Sequence, residues 1–263
     1  MKKPNTSETS ATATVAVRAP IKPTLFDVDD HNATFSRFYP ECEQLLLTPV
    51  GLEPLFNWLE DPSSVAIADF RAGAFRTILE FEKSNGFFDT AGRYGARIVV
   101  AFVLAPEEDS IALLKNLSGL LGDRVVWLVV RSTFKHGNWS LWENSKTRVD
   151  LAELDFTEMS APTLKADAFS ALGQYTLTAT AAVDHRPISL ANRSSLATWR
   201  NNYLSEIERA VLPLLNDEGK TMFLVTGDKG GVGKSSLARA LTDSFHNPAK
   251  SYVTPLVVKA PAK

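Results

Sequence analysis

Cysteine is nearly absent: Cys42 is the only one in 263 residues. That excludes a disulfide framework and any cysteine-paired metal or iron–sulfur centre, and it fits a reducing, cytoplasmic setting. Long apolar runs are missing too, since no stretch approaches the ~20 residues a membrane-spanning helix needs. Lys2 and Lys3 have no apolar segment behind them, so no secretory signal is expected. Nor does one sign of charge dominate: 28 Lys and Arg stand against 30 Asp and Glu, a formal net charge of −2. A global basic field for nonspecific DNA binding is therefore not indicated, and direct DNA contact through a local patch stays open.

What the chain has is apolar mass, 44% of its residues, enough for a large core. The opening residues are rich in Ser, Thr and Ala and are expected to be disordered to about Thr12, within a flexible segment 1–22. Residues 23–247 show no break in composition and read as a single domain, with 248–263 as a tail. The ends resemble each other at Val17/Val258, Ala19/Ala260, Pro20/Pro261 and Lys22/Lys263, and Val15–Val17 reads as a short extended piece.

Nearly continuous apolar runs mark buried strands at Pro23–Asp27, Ser64–Asp69, Ala96–Leu104, Arg124–Val130 and Met222–Thr226. Helical spacing appears at Leu52–Leu59, Arg76–Phe88, Ile111–Leu121, Ala166–Leu172, Leu196–Leu215 and Leu237–Phe245. Glu41–Leu47 fits either helix or strand, and residues 149–175 give a weaker strand and helix. Pro187–Arg193 reads as a loop, as does Phe134–Lys146, whose Trp139 and Trp142 suit either a partner surface or, slightly better, a small satellite core. Strands alternating with helices imply a mostly parallel sheet covered on both faces, a three-layer α/β fold.

The segment Lys229-Gly230-Gly231-Val232-Gly233-Lys234-Ser235-Ser236 lies between the last strand and the last helix. Strand, glycine-rich loop and helix form a phosphate cradle: glycines let backbone N–H groups face an anion, and the helix N-terminus adds its positive end. In such a loop Lys234 reaches the β- and γ-phosphates and the Ser235 hydroxyl holds Mg²⁺. The bland alternative is a turn that merely caps the helix. Two upstream strands end in carboxylates, at Asp27 with Asp29, and at Asp69; each alone is equally an ordinary capping turn.

This loop resembles the deviant P-loop of the ParA/MinD class of ATPases, whose signature is Lys-Gly-Gly-x-Gly-Lys-Ser/Thr. The usual glycine is replaced by Asp228, and Lys229 is the additional lysine. Only a short stretch follows the loop, too short for the further strands such a domain needs. If residues 220–247 are placed before 23–216, the order becomes that of the class. Asp27-x-Asp29 matches its Asp-x-Asp motif, and Asp69-x-x-Ala72-Gly73 its Asp-x-x-Ala-Gly motif. Asp27-x-Asp29-x-x-Asn32-Ala33-Thr34-Phe35, Val125–Leu128 and the Arg193/Leu196/Arg200 spacing are similar to the TraL-type conjugal-transfer and plasmid-maintenance members. The resemblance implies a circularly permuted P-loop NTPase fold, against the alternative of a chain cut just after its loop. It departs from the class at Arg71, where proline is common. It departs again at Val129-Val130-Arg131, where members often carry an adenine-reading Asn.

The resemblance further implies ATP and Mg²⁺ as ligands and a homodimer closed around nucleotide. Gly230–Ser236 would hold the phosphates, Ser235, Asp27 and Asp69 the metal shell, and Asp29 the attacking water. Lys229 would reach the partner's nucleotide, and the process would be plasmid partition or conjugative transfer beside a protein of that complex. Two other readings stand against a switch ATPase: a non-hydrolysing nucleotide-binding adaptor, and a small-molecule P-loop kinase.

Overall fold

The computed structural model of the chain describes residues 16–17, 21–134, 137–217, 219–246 and 253–254. Most of the expected flexible segment 1–22 and of the tail 248–263 lies outside the described residues, as does most of the similarity between the two ends. Ala16–Val17 is extended and pairs antiparallel with Val253–Thr254.

Seven strands make one parallel sheet. In chain order they are β1 (Thr24–Val28), β2 (Glu43–Gln44), β3 (Val65–Phe70), β4 (Ala96–Leu104), β5 (Val126–Ser132), β6 (Thr157–Ala161) and β7 (Lys220–Thr226). Across the sheet they run β2-β1-β3-β7-β4-β5-β6, and every neighbouring pair is parallel. The last of these seven strands in sequence is thus the middle strand of the sheet. β3 and β4 follow one another in sequence but leave a slot between them, which β7 fills.

Side chains alternate across the strands and build two cores. On one face Leu25, Ile67, Val99, Val103, Val130, Phe223 and Val225 pack under four helices. These are α7 (Ala166–Tyr175), α8 (Ala179–Asp184), α9 (Leu190–Ala210) and α10 (Lys234–His246). On the other, Phe26, Ala68, Val100, Phe102, Trp127 and Leu224 meet α1 (Glu53–Asn57), α2 (Phe75–Asn85), α3 (Phe87–Arg93), α4 (Glu108–Leu121) and α6 (Lys146–Ala152). Residue-by-residue alternation explains why the strands read as continuous apolar runs: both faces are dry. The architecture is three-layered α/β.

Several local expectations are corrected. The helix expected over Arg76–Phe88 breaks at Gly86, whose φ of 60° ends α2 while its N–H reaches the Glu82 carbonyl at 2.7 Å. The loop expected at Pro187–Arg193 is already α9 from Leu190, because Ser189 Oγ accepts from Asn192 N and caps a first turn with little apolar periodicity. That helix stops at Ala210 rather than Leu215, giving way to a 3-10 turn with Pro213 at its start. Leu52–Leu59 is a single α-turn flanked by 3-10 turns, and Glu41–Leu47 contributes only the edge strand β2.

The stretch Phe134–Lys146 contains a short helix, α5 (Ser140–Glu143), and Trp142 belongs to no satellite. It is fully buried in the main core beside Leu151, and its indole N–H donates to Glu158 Oε2 at 3.0 Å. Trp139 lies partly buried against the same core under the Arg131 guanidinium.

Candidate active site

Because all strands are parallel, their C-terminal ends share one edge, the edge at which open α/β sheets bind ligands. The register aligns Asp27 of β1, Asp69 of β3 and Val225 of β7 side by side. The glycine loop leaves β7 just beyond that line. Asp27 and Asp69, about 200 and 160 residues upstream of it in sequence, therefore stand next to it in space.

The loop is shaped by its glycines. Gly231 and Gly233 have φ of 72° and 102°, a region closed to most side chains. Val232 between them turns inward and is buried in the core. Its carbonyl accepts from the Ser132 hydroxyl, 2.5 Å away at the end of β5. One apolar side chain and one hydrogen bond thus pin the loop, leaving its flanks to the solvent side. α10 starts at Lys234, and its first backbone bond runs from Leu237 N to the Gly233 carbonyl. The amides of Lys234, Ser235 and Ser236 have no acceptor within the helix, which is the requirement for an anion cradle.

A cleft of about 800 Å³ opens over this loop. Of the residues singled out in the sequence, Gly230, Gly231, Gly233, Lys234, Ser235, Ser236 and Asp29 line it. Lys234 is buried, and its Nζ donates to the Lys229 carbonyl at 2.7 Å. Burial lowers its pKa, and Asp69, Asp29 and Asp228 oppose the fall. The far end of the cleft carries Thr133, Thr163, Leu164 and a T-shaped aromatic pair, Phe134 and Phe169.

The remaining singled-out residues do not line the cleft. Asp27 is buried with its carboxylate turned to backbone: Oδ2 accepts from Phe35 N at 3.0 Å and Ser36 N at 2.7 Å, and Oδ1 from Asp29 N at 3.2 Å. It fixes the 29–36 loop. Lys229 Nζ turns to Glu107 Oε2, with Asp109 Oδ2 at 3.7 Å, both at the start of α4; its pKa is raised by that bond to Glu107.

Asp69 is the unusual group. It is buried, and neither carboxylate oxygen has a hydrogen-bond partner. Burial pushes its pKa up to about 7, and the neighbouring Ser235 hydroxyl and Lys234 offset only part of the rise. An orphaned carboxylate beside a serine hydroxyl is a hard-oxygen donor set, and it fits a magnesium ion that also takes phosphate oxygens. Among the described residues no three or more His, Cys, Asp or Glu side chains gather as a protein-only metal cage, and a phosphate-borne magnesium does not require one.

Comparison with known proteins gives no relative. No protein-family model, curated protein or solved structure matches the chain.

Asp29 caps its own turn, with Oδ1 accepting from His31 N at 3.2 Å and Asn32 N at 3.1 Å. Ala33 in this turn has φ of 43°, a conformation that costs a non-glycine residue on the order of 1 kcal/mol. The far end of the segment is tied to the loop helix: Tyr39 Oη donates to Asp243 Oδ1 at 2.7 Å, and Arg239 of α10 lies over the Phe38 ring at 4.0 Å. α10 and the 29–39 segment are therefore joined by direct side-chain contacts. Ser132, Tyr39, Arg239 and Asp243 escape sequence reasoning because each acts through a partner roughly a hundred or more positions away. Among the described residues no helix is long and apolar enough to cross a membrane.

Proposed function

We propose that this protein is a magnesium-dependent ATPase of the ParA/MinD type, a nucleotide switch whose fold is circularly permuted. The observation that carries the reading is the meeting of the glycine loop and Ser235 with the orphaned carboxylate of Asp69 at the edge of one sheet. The strand order supports permutation, since the C-terminal β7 occupies the central slot between β3 and β4.

In this reading the amides of Gly230–Ser236 hold the phosphates and Lys234 neutralises the β- and γ-oxygens. Ser235 and Asp69 hold magnesium, which supplies charge neutralisation at the transferred phosphoryl group. Asp27, engaged with backbone, acts by shaping the 29–36 loop, and Asp29 orients the water. Hydrolysis would relax that loop, and through Tyr39–Asp243 the helix α10, so that nucleotide state reaches a partner protein. A nucleotide-bound homodimer and a role in plasmid partition or conjugative transfer extend the reading by resemblance.

One observation favours a second reading, the non-hydrolysing adaptor: Lys229 is held by Glu107 and Asp109 of its own chain. To serve a partner's nucleotide it must first leave them.

Titration with a fluorescent ATP analogue, light scattering and phosphate release test both. Lys234→Ala is expected to abolish binding, whereas Lys229→Ala spares binding and loses dimerisation and turnover. Equal loss of binding in both variants would refute separate roles. Binding with no phosphate release from the unmodified protein would select the adaptor.

A further inference from the structure

We infer that Arg71 is an intrachain catalytic cation that leaves Asp30 to meet the γ-phosphoryl oxygens as they accumulate charge. The inference rests on the ATPase reading and adds a catalytic group to it. Arg71 stands two residues past Asp69, at the end of β3, and β3 is the direct neighbour of the strand that feeds the glycine loop. Arg71 lines the same cleft as Asp29, Gly230, Lys234 and Ser235.

Its hold is weak by comparison with the other cations there. The buried guanidinium Nε makes no well-aligned hydrogen bond; it faces its carboxylate, Asp30 Oδ1, across 3.4 Å as an ion pair. Both side chains of that pair are partly buried, and the pair rests on one contact rather than on a bidentate fork. Lys234 is bonded to the loop carbonyl, Lys229 to two carboxylates, and Arg239 is packed on Phe38. A planar guanidinium with unused donors prefers a bidentate phosphoryl partner to a single long contact with a carboxylate. Asp30 adjoins Asp29 in the turn that faces the cleft, so release of Arg71 and ordering of that turn would accompany each other.

The step balances without a further reactant. Water oxygen bonds to the γ-phosphorus. The bond from γ-phosphorus to the β–γ bridging oxygen breaks, its electron pair leaves with ADP, and at neutral pH a proton passes to solvent. Arg71 is not consumed; it stabilises charge on the oxygens in the transition state.

The test uses the full chain with Arg71→Ala and Arg71→Lys, each checked for an unchanged circular-dichroism spectrum. ATPγS affinity, single-turnover hydrolysis and retention of ADP with aluminium fluoride are measured. Expected are ATPγS affinities within about 3-fold of the parent, hydrolysis slowed on the order of 10³-fold, and loss of the fluoride-trapped state. Lysine should restore little, since it lacks the fork. Hydrolysis within about 3-fold of the parent, or ATPγS affinity falling in step with hydrolysis, would overturn the assignment while leaving the nucleotide site intact. A parent protein that binds ATPγS but does not hydrolyse ATP would also overturn it. One that binds no nucleotide would remove the ATPase reading itself.

Discussion

Replacing Asp69 by Asn should make the protein more stable at neutral pH, and the gain should grow with pH. The carboxyl is buried and unpartnered, and its folded-state pKa of about 7 lies above the ordinary 3.8. Between those values the folded protein keeps a proton that the unfolded chain has released, so this group's contribution to stability falls as pH rises. Roughly three pH units at 1.36 kcal/mol each give ~4 kcal/mol between pH 4 and pH 8. Asparagine does not titrate. It carries a pH-independent cost for a buried amide, on the order of 1–3 kcal/mol, but no slope. The assay is urea unfolding of both proteins at pH 4.5, 6, 7 and 8, read as the difference in unfolding free energy at each pH. Other titrating groups are common to both proteins and cancel. The difference should move toward the Asn variant by several kcal/mol across the series, most steeply up to about pH 7. A difference that stays flat would refute the reasoning, because it would mean that Asp69 is solvated or paired when the protein is folded.

Two further substitutions test how the loop is held. Gly233→Ala should cost about 1–3 kcal/mol, because φ is 102° and the new methyl would sit 2.9 Å from the Phe134 ring; an unchanged melting temperature would argue against this loop shape. Ser132→Ala should cost about 1–3 kcal/mol, because it leaves the buried Val232 carbonyl without its hydroxyl partner, and it should weaken nucleotide binding by loosening the cradle; tight binding at parent strength would deny Ser132 that part.

The pieces were legible in the sequence. Apolar runs located β1, β3, β4, β5 and β7 to within about two residues at either end, since a strand dry on both faces must be apolar throughout. The shape of the glycine loop was legible because φ above zero favours glycine, and Gly231 and Gly233 stand where the chain turns that way. Caps and breakers were legible only in part: Gly86 and Pro213 are visible punctuation, but a polar first turn started by Ser189 carries no periodic signal.

Tertiary structure alone decided the neighbours. That β7 lies between β3 and β4 is a matter of long-range pairing, which no local pattern encodes. That placement brings Asp69 to Ser235 and strips it of water, and desolvation is a property of surroundings rather than of residue type. Asp27 and Asp69 look alike in sequence, each an acid at a strand end. In the fold Asp27 is satisfied by three backbone amides, while Asp69 makes no well-aligned hydrogen bond and has only the Ser235 hydroxyl and Lys234 nearby. Sequence supplied the chemical groups; the pairing of the sheet determined which of them remain available to a ligand.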